Sequence, residues 1–272
     1  MIGFGYYAGV IGAYNGFRAY GLKKKLFKIP KAIELKDRVE FNQTLKQIKI
    51  PNIKILLSGK GRVGSGTKEV LDFLKIKQVS PNDFVDKEFD EAVYTNIDVL
   101  DYNYSNSIEN SISNFYNFPE KFESTFSKFS SVADIYFAGH YHNPKAPKLI
   151  TNQDMKENSF NIDVIADISC DIDGPIASTI RPSTIDNPIY GFHKSNSIEC
   201  DFLDPDAIAV MAVDNLPCEL PRDSSEMFGD MFLKYVIPSF FNHDKEDILK
   251  NSKMTSNGKL TPRFKYLSDY VV

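Results

Sequence analysis

The sequence has 272 residues, of which 42% are hydrophobic and 25% are charged, and its formal net charge is −4 at pH 7. Such a composition is ordinary for a soluble globular protein, and the small negative charge gives no general attraction to nucleic acid or to an anionic membrane. No apolar run approaches the roughly 20 residues of a membrane span. We therefore expect neither nucleic acid nor a membrane as a partner.

The three cysteines, at positions 170, 200 and 218, form no CxxC pair. So few and so scattered cysteines argue against a disulfide framework and against a structural zinc site. We therefore expect a reducing compartment, the cytoplasm, and no bound metal.

The first 21 residues alternate small and large side chains, with glycine at positions 3, 5, 9, 12, 16 and 21. This spacing predicts a helix that packs tightly against another backbone. The stretch lacks the basic region of a signal peptide, and it also lacks a helix cap. An apolar, glycine-rich start of this kind is typical of the middle of a longer chain. We therefore interpret residues 1–30 as the remnant of a second domain with its connecting helix.

Two polar stretches are predicted as connections. Residues 22–50 are basic, but acidic residues are interleaved, so a solvated connector with an amphipathic helix near Ala32–Ile48 is favoured over a nucleic-acid patch. Residues 87–130 are rich in Asn, Ser, Tyr and Phe. There we expect an insertion with little regular strand, followed by a helix near Pro119–Phe129.

The most informative stretch is IKILLSGKGRVGSGTKEVLDFL, residues 53–74. Its apolar run Ile53–Leu57 predicts a buried strand. A turn rich in glycine follows, and then Val70, Leu71 and Leu74 recur at helical spacing. Strand, glycine turn and helix in this order are the context that a dinucleotide-binding fingerprint requires.

Each glycine of this turn has a mechanical role in such a fingerprint. Gly59 lets the chain turn sharply out of the strand, Gly61 lets the backbone approach a pyrophosphate, and Gly64 lets the helix pack close to the strand. The start of the helix then offers free N–H groups and a positive dipole end to the phosphates. A glycine-rich turn in an α/β protein that binds no phosphate is the alternative.

Proteins with this fingerprint hold the adenosine ribose with an acid about 20 residues beyond the first glycine. Here the count reaches Ser80, at the end of a short predicted strand, and Asp83 comes slightly later. The ribose contact therefore has no clear candidate, and the choice between NAD and NADP stays open. Arg62 or Lys77 could meet the 2′-phosphate of NADP.

The apolar run Val132–Ala138 predicts a buried strand that ends at Gly139. The strand ends of open α/β sheets are where ligands lie. His140 and His142 alternate as in a strand and should face opposite sides. A loop beside the nucleotide crevice is therefore favoured over paired metal ligation.

Two further apolar runs, Val164–Ile168 and Ala207–Val213, predict buried strands. Asp214 and Asn215 end the second run. Closely spaced polar residues end the first, and they either form a turn with Asx hydrogen bonds or line a site. They are Asp167, Ser169, Asp171, Asp173 and Gly174.

The segment after Pro221 predicts a capped helix, with Ser224 or Ser225 as the N-cap. Apolar residues recur along it at helical spacing. We interpret this stripe as core, and its members are Met227, Phe228, Met231, Phe232 and Val236.

These elements predict an α/β fold, with a Rossmann-like, mostly parallel sheet, flanking helices and part of a second, substrate domain. Residues 31–225 are the expected NAD(P)-binding domain. Residues 226–272 are the expected C-terminal helices that return to the substrate domain. Because the apolar start favours self-association, we expect a homo-oligomer, a dimer.

Four blocks resemble the alanine dehydrogenase and saccharopine dehydrogenase (NAD, L-lysine-forming) family. The saccharopine branch is closer, through the GRxGSG turn and the pattern xDNLPxxLPRxSSxxF. The blocks span most of the chain and keep the family's order: GFGYYAGVIGAYNGFRAYG, SGKGRVGSGTKEVL, ADISCDIDGPIASTIRPSTIDNPIYG and AVDNLPCELPRDSSEMFGDMFLKYVIP.

The resemblance implies an NAD-linked oxidoreductase, with NADP as the alternative cofactor. Such an enzyme transfers a hydride from an amine-bearing carbon, and its substrate is an amino acid or, in the reverse direction, a 2-oxo acid. The family's nucleotide-binding domain is inserted into an amino-acid-binding domain.

The resemblance also implies roles for individual positions. Asp171 matches a catalytic aspartate, Asp214 would lie near the reacting centre, and Phe4 matches a substrate-side position. The implied cofactor contacts are Gly59, Lys60, Gly61, Arg62, Val63 and Gly64 at the pyrophosphate, Ser80 at the ribose position, Gly139 and Ala166 at the nicotinamide crevice, and Val213, Asp214, Asn215 and Leu216 beside the nicotinamide.

The sequence departs from the family pattern in three places. The family has a segment before the position of Met1, with the Lys and His that serve as acid and base, so we expect a truncated form. The ribose acid has no match, and residues 87–130 are longer than the usual connection. The alternative function is a catalytically inactive dinucleotide-binding or partner-binding module. A sugar-nucleotide enzyme on the same fold is a weaker interpretation.

Overall fold

The computed structural model describes residues 2–271. Residues 5–221 form one compact unit, and residues 2–4 with 222–271 form a second, smaller one. The predicted three-part domain division stays a prediction. The α-helices are α1 Gly5–Lys23, α2 Arg38–Leu45, α3 Arg62–Phe73, α4 Pro81–Asp86, α5 Ile112–Asn117, α6 Ser127–Ser130, α7 Pro221–Tyr235, α8 Ile237–Phe241 and α9 Ile248–Ser252.

The strands of the larger unit are β1 Lys54–Ser58, β2 Lys77–Gln78, β3 Val93–Ile97, β4 Asn103–Tyr104, β5 Glu123–Ser124, β6 Ile135–Ala138, β7 Val164–Asp167, β8 Ile189–His193, β9 Glu199–Cys200 and β10 Ala207–Met211. The smaller unit adds a hairpin of β11 Thr255–Ser256 and β12 Lys259–Leu260. Short 3₁₀ turns occupy Ala32–Glu34, Pro119–Lys121, Asp154–Lys156, Leu216–Glu219 and Pro262–Tyr270.

The larger unit is built on an eight-stranded sheet in the order β2-β3-β1-β6-β7-β10-β8-β9. The six strands from β2 to β10 in this order run parallel, whereas β8 runs antiparallel to β10 and to β9. Strands β1, β6, β7 and β10 are buried along their whole length, as expected for parallel strands that are covered on both faces. The predicted Rossmann-like α/β fold is confirmed.

The register aligns the carboxyl ends of the central strands. Ser58 at the end of β1 pairs with Ile97 of β3 on one side and with Ala138 of β6 on the other. Chain order reverses at β1, since β3 and β6 lie on opposite sides of it. Ligands of open α/β sheets bind at such a switch point, beyond the carboxyl ends of the strands.

The prediction of little regular strand in residues 87–130 is wrong, because β3 lies inside this stretch and next to β1. Its sequence VYTNI is short and includes the polar residues Thr95 and Asn96. A search for apolar runs therefore did not predict it as a strand. The hydroxyl of Thr95 donates to the carbonyl oxygen of Val79 at 3.1 Å, so the polar side chain is satisfied inside the fold.

One predicted helix is wrong, and another is shorter than expected. The stretch Pro119–Phe129 is divided into a 3₁₀ turn, the short strand β5, which pairs with β4, and α6. The stretch Ala32–Ile48 contains a 3₁₀ turn and then α2, which begins only after Asp37. The carboxylate of Asp37 caps α2 by accepting hydrogen bonds from the backbone N–H groups of Val39 and Glu40.

Helices α1 and α3 pack with their backbones in direct contact, as the spacing of small residues in α1 predicts. A Cβ atom on Gly9 would overlap the carbonyl oxygen of Val63, and one on Gly66 would overlap the carbonyl oxygen of Tyr6. The hydroxyl of Thr67 donates to the carbonyl oxygen of Gly9 at 3.1 Å. We call this backbone contact of α1 with α3, at Gly9 and at Gly66, the glycine seam.

Gly9→Ala should therefore lower the free energy of unfolding by about 3 kcal/mol or prevent folding, because overpacking forces main-chain atoms apart. Urea unfolding followed by circular dichroism measures the effect. Gly229→Ala in α7 is the matched control, since a Cβ there meets no atom within 4 Å and alanine favours a helix interior by about 1 kcal/mol. Equal effects of the two substitutions would contradict the glycine seam.

The smaller unit holds most of α7, with α8, α9 and the hairpin. Helix α7 begins at Pro221, so the predicted N-cap at Ser224 or Ser225 is wrong. The apolar stripe of this helix was predicted to belong to the core. Every member of the stripe is only half-buried, so this prediction is wrong. Within residues 2–271, no helix combines the length and the apolar character of a membrane span.

Candidate functional site

The turn after β1 has a geometry that depends on two of its glycines. Gly59 has φ +95°, a conformation that residues with side chains rarely adopt. A Cβ on Gly59 would also lie 2.5 Å from the carbonyl oxygen of Gly139. A Cβ on Gly64 would overlap the carbonyl oxygen of Gly59. These two glycines let β1, β6 and α3 approach one another.

Gly61 differs from both, because a Cβ placed on it meets no atom within 4 Å. Gly61 is the N-cap of α3, and it has extended backbone with φ −82° and ψ −164°. The first N–H groups of a helix have no partner within the helix, and the helix dipole favours an anion beside them. The open space over Gly61 therefore fits a pyrophosphate.

A crevice of about 490 Å³ opens at the carboxyl ends of β1, β3, β6 and β7. Seven of the predicted site residues line it, and they are Gly59, Lys60, Gly61, Arg62, Val63, Gly139 and Asp171. His140, in the loop predicted beside the crevice, and Ser169, from the polar cluster after β7, also line it, together with residues that sequence reasoning did not assign, including Gly5, Asp98 and Tyr102. The glycine turn thus forms one wall of a cavity large enough for part of a dinucleotide.

Asp98 is the most informative residue that sequence reasoning missed. It directly follows β3, the strand beside β1, and its carboxylate Oδ2 lies 3.8 Å from Nζ of Lys60. The count of about 20 residues assumed that the next strand along the chain would lie beside β1, whereas β2 lies at the edge of the sheet. An acid that immediately follows the run AVYTNI was the available signal.

Ser80, the predicted ribose contact, has a local structural role. Its hydroxyl accepts a hydrogen bond from the backbone N–H of Asp83 and caps α4, with Pro81 at the first helical position. It also lines a surface depression with Lys60, Asn96 and Asp101. The sequence SPND carries this N-cap signal.

The remaining predicted cofactor and substrate residues do not line the crevice. Ala166, Val213 and Leu216 are almost completely buried. Asp214 and Asn215 are exposed beyond the carboxyl end of β10. Phe4 lies in the smaller unit, where its ring stacks on Phe228 with 4.6 Å between the centroids.

A buried polar network lies beneath the glycine turn. The Ser58 hydroxyl is hydrogen-bonded to Nδ1 of His140 at 2.8 Å and to the Tyr136 hydroxyl at 2.9 Å. Burial lowers the pKa of His140 to about 4, so its imidazole is neutral at pH 7. The ring of His142 lies perpendicular to that of His140, with 6.4 Å between the centroids.

The acidic cluster at the end of β7 was interpreted either as a turn or as part of a site, and different aspartates of the cluster serve each role. Asp167 is buried and accepts hydrogen bonds from the Ser169 hydroxyl at 2.6 Å, the Thr179 hydroxyl at 2.6 Å and the Cys170 N–H at 3.1 Å. It therefore holds the turn. Asp171, four residues on, faces the crevice, and partial burial raises the pKa of its carboxyl.

A second group of titratable side chains lies at the opposite edge of the sheet. His193, Asp204 and Asp206 each offer one ligand atom, and these atoms lie within 4.8 Å of one another. His193 pairs with Ala207, the first residue of β10, so the group is remote from the crevice.

The glycine turn, the parallel sheet and the crevice at its carboxyl edge define a Rossmann-like α/β protein. A solved structure of an L-alanine dehydrogenase has the same fold, with a TM-score of 0.52 and 13% identity. That match covers 99% of this chain and 64% of the solved chain.

The sequence comparisons show which family and which proteins the chain is similar to. Residues 138–265 match the family model of the alanine dehydrogenase/PNT C-terminal domain. The mitochondrial alpha-aminoadipic semialdehyde synthase of Rattus norvegicus is 23% identical over 98% of this chain. The saccharopine dehydrogenase [NAD(+), L-lysine-forming] of Emericella nidulans is 28% identical over 40% of this chain. The chain thus resembles the alanine dehydrogenase and saccharopine dehydrogenase family, and the resemblance predicted from the four sequence blocks is confirmed.

The chain spans only part of these relatives. It covers 34% of the length of the rat protein and 28% of the length of the Emericella protein. The activity of the whole relatives is therefore carried to this chain only as a proposal.

Proposed function

We propose that this chain is the nucleotide-binding part of an NAD(P)-dependent amino-acid dehydrogenase. The observation that carries the proposal is the open position at Gly61, beside the start of α3 and inside the crevice. The matching family model is named for alanine dehydrogenase, and the name of the Emericella protein includes both dehydrogenase and NAD, which supports a dehydrogenase that acts on amino-acid donors.

When bound, the dinucleotide would supply the hydride acceptor, and the chain's own residues would bind and orient it. The backbone at Gly61 and the first turn of α3 would hold the pyrophosphate. Gly139 follows β6 and lines the same crevice, so it would lie beneath the nucleotide. Val213 to Leu216 are proposed to lie beside the nicotinamide, and Phe4 on the substrate side.

Two aspartates are proposed to act on the substrate. Asp171 faces the crevice, and Asp214 follows the end of β10. Burial raises the pKa of the Cys170 thiol to about 11, and the nearby charges of Asp167, Asp214 and Asp171 act in the same direction. An ionised aspartate would stabilise the positive charge that develops as an amine-bearing carbon loses a hydride.

Asp98 is proposed as the ribose acid, in place of Ser80. Its carboxylate follows the strand beside β1, where the ribose lies in this fold. A carboxylate there accepts hydrogen bonds from the ribose hydroxyls and repels the 2′-phosphate of NADP. We therefore propose NAD as the cofactor.

Asp98→Ala should weaken NADH binding by roughly 10- to 100-fold, because a hydrogen bond to a charged group contributes about 1.5–3 kcal/mol. It should weaken NADPH binding less, so that the preference for NADH narrows. Fluorescence titration of the purified chain with each nucleotide measures both constants. Asp86→Asn, an exposed aspartate in α4, is the control; unchanged NADH affinity in Asp98→Ala would refute the ribose assignment.

The function itself is tested by titration with NADH and NADPH, followed by turnover assays with alanine or with lysine and 2-oxoglutarate. Saturable binding of one nucleotide with amino-acid-dependent turnover supports the dehydrogenase. Binding without turnover supports a dinucleotide-binding module, and no binding rejects both.

We further propose a cytoplasmic homodimer. Cell fractionation would test the compartment, and light scattering would test the oligomeric state. The rat relative carries the word mitochondrial in its name.

A further inference from the structure

A second cavity of about 340 Å³ shares one wall with the dinucleotide crevice. The loops that follow β6 and β7 form it. Its charged and titratable lining residues are His142, Lys148, Cys170, Asp171 and Asp173. Asp171 lines both cavities, so the two spaces meet at one carboxylate.

The charges in this second cavity have opposite signs and are not neutralised by ion pairs. Within residues 2–271, neither Lys148 nor Asp171 takes part in a salt bridge shorter than 4 Å. Burial lowers the pKa of His142, and His142 also lies close enough to both charges for Asp171 to raise this pKa and for Lys148 to lower it further. One positive group, two negative groups and an imidazole thus surround one small space.

The loop that carries Asp171 is held in place from below. Cys170 and Asp173 both have left-handed backbone, with φ near +55°. The buried carboxylate of Asp167 accepts the Cys170 N–H, and the Cys170 thiol donates to the carbonyl oxygen of Ala212 at 3.0 Å. Two hydrogen bonds of Cys170 therefore anchor the backbone next to Asp171, and the Asp171 side chain itself is exposed.

We propose that this second cavity binds the zwitterionic head of an amino acid, with Lys148 at the carboxylate and Asp171 at the ammonium group. His142 faces the same space and can accept a further hydrogen bond from the ammonium group. A purely anionic ligand would meet two aspartates, and a simple cation would meet Lys148, so a ligand with both charges fits best. The inference deepens the proposed function, because it places the amino acid beside the dinucleotide crevice.

The test is a calorimetric titration with L-alanine, L-lysine and 2-oxoglutarate, each with and without saturating NADH. Lys148→Met should weaken binding of all carboxylate ligands by about tenfold or more, because the ion pair to the carboxylate is lost. Asp171→Asn should weaken binding of the amino acids to a similar extent. It should leave 2-oxoglutarate unchanged or bound more tightly, because this ligand has no ammonium group.

Lys145→Met is the matched control, since Lys145 lies in the same loop and does not line the cavity. NADH affinity is measured on the same samples, so loss of dinucleotide binding is recorded separately from loss of amino-acid binding. Equal effects of Lys148→Met and Lys145→Met would overturn the proposal. Equal effects of Asp171→Asn on amino and oxo acids, or no amino-acid binding to the parent chain with or without NADH, would also overturn it.

Discussion

Gly61→Asp is expected to fold as the parent chain does and to show no saturable binding of NADH or NADPH. The backbone of residue 61 is extended, and a Cβ there meets no atom within 4 Å, so the fold has room for the side chain. Asp is also a preferred N-cap residue, so α3 should be as stable as before or slightly more so. The new carboxylate would occupy the N–H groups that the pyrophosphate needs and would repel its charge.

Gly61→Ala separates the steric part of this effect from the electrostatic part. A methyl group at the phosphate position should weaken binding by roughly 10- to 100-fold, in line with an overpacking cost of about 1–3 kcal/mol. Nucleotide titration measures the affinity, and thermal unfolding in the absence of nucleotide measures the fold.

Gly64→Ala is the contrasting variant, because its Cβ would overlap the carbonyl oxygen of Gly59. It should lower stability as well as binding. The assignment of Gly61 to the pyrophosphate is wrong if Gly61→Asp binds NADH with the affinity of the parent chain.

Glu219→Gln is expected to remove a pH dependence of stability between pH 4.5 and 7. Glu219 lies in the 3₁₀ turn after β10 and is fully buried against α1. Burial raises the pKa of its carboxyl from 4.5 to about 7, although Asn15, Arg18 and Lys31 act in the opposite direction. The Asn15 side-chain amide donates to Oε1 at 2.8 Å.

The unpaired oxygens of this pair favour the protonated acid, although the hydrogen bond from Asn15 itself favours the ionised form. Oε2 of Glu219 and Oδ1 of Asn15 are both buried, and neither has a hydrogen-bond partner within the described residues. A proton on Oε2 would supply the donor that Oδ1 lacks. Glutamine places an N–H donor at the same position without titrating.

The sign of the effect follows from linkage. Below pH 4.5 the folded and unfolded states both bind the proton. Between pH 4.5 and 7 only the folded state keeps it, so the stability of the parent falls as pH rises, by about 3 kcal/mol in total. Above pH 7 the loss is complete and stays constant. Glu219→Gln should lack this contribution to the pH dependence and should be more stable than the parent at pH 8.

Urea unfolding at pH 5, 6, 7 and 8 measures both curves, and their difference isolates Glu219 from other titrating groups. Glu226→Gln, an exposed glutamate in α7, is the control and should leave the slope unchanged. A parent and a Glu219→Gln variant with the same slope would show that the carboxyl ionises normally in the folded state.

The local parts of the site could be predicted from the sequence. The strand, the turn at Gly59 and the start of α3 depend on neighbours within about 20 residues, and glycine marks each position where a Cβ has no room. The packing of α1 against another backbone was predicted for the same reason. The strand order was not, because the pairing of β3 with β1 is a contact between distant parts of the chain.

Side-chain direction was the second limit. Ala166, Val213 and Leu216 were placed at strand ends by resemblance, but their burial depends on what α1 and the turn after β10 place over them. Asp98 shows the converse case. The expected spacing of about 20 residues from the first glycine did not lead to Asp98. The strand order of the sheet nevertheless places it at the crevice.

The glycine seam limits how this chain can evolve. At Gly9 and Gly66 the obstructing atoms are main-chain carbonyl oxygens, which no substitution elsewhere can remove. At Gly12 and Gly16 the nearest obstructing atoms belong to the side chains of Ile168 and Phe137. Compensatory mutation can therefore make room at positions 12 and 16, which are free to covary with 168 and 137. Positions 9 and 66 have no such second-site rescue, and drift should leave them as glycine in every functional descendant.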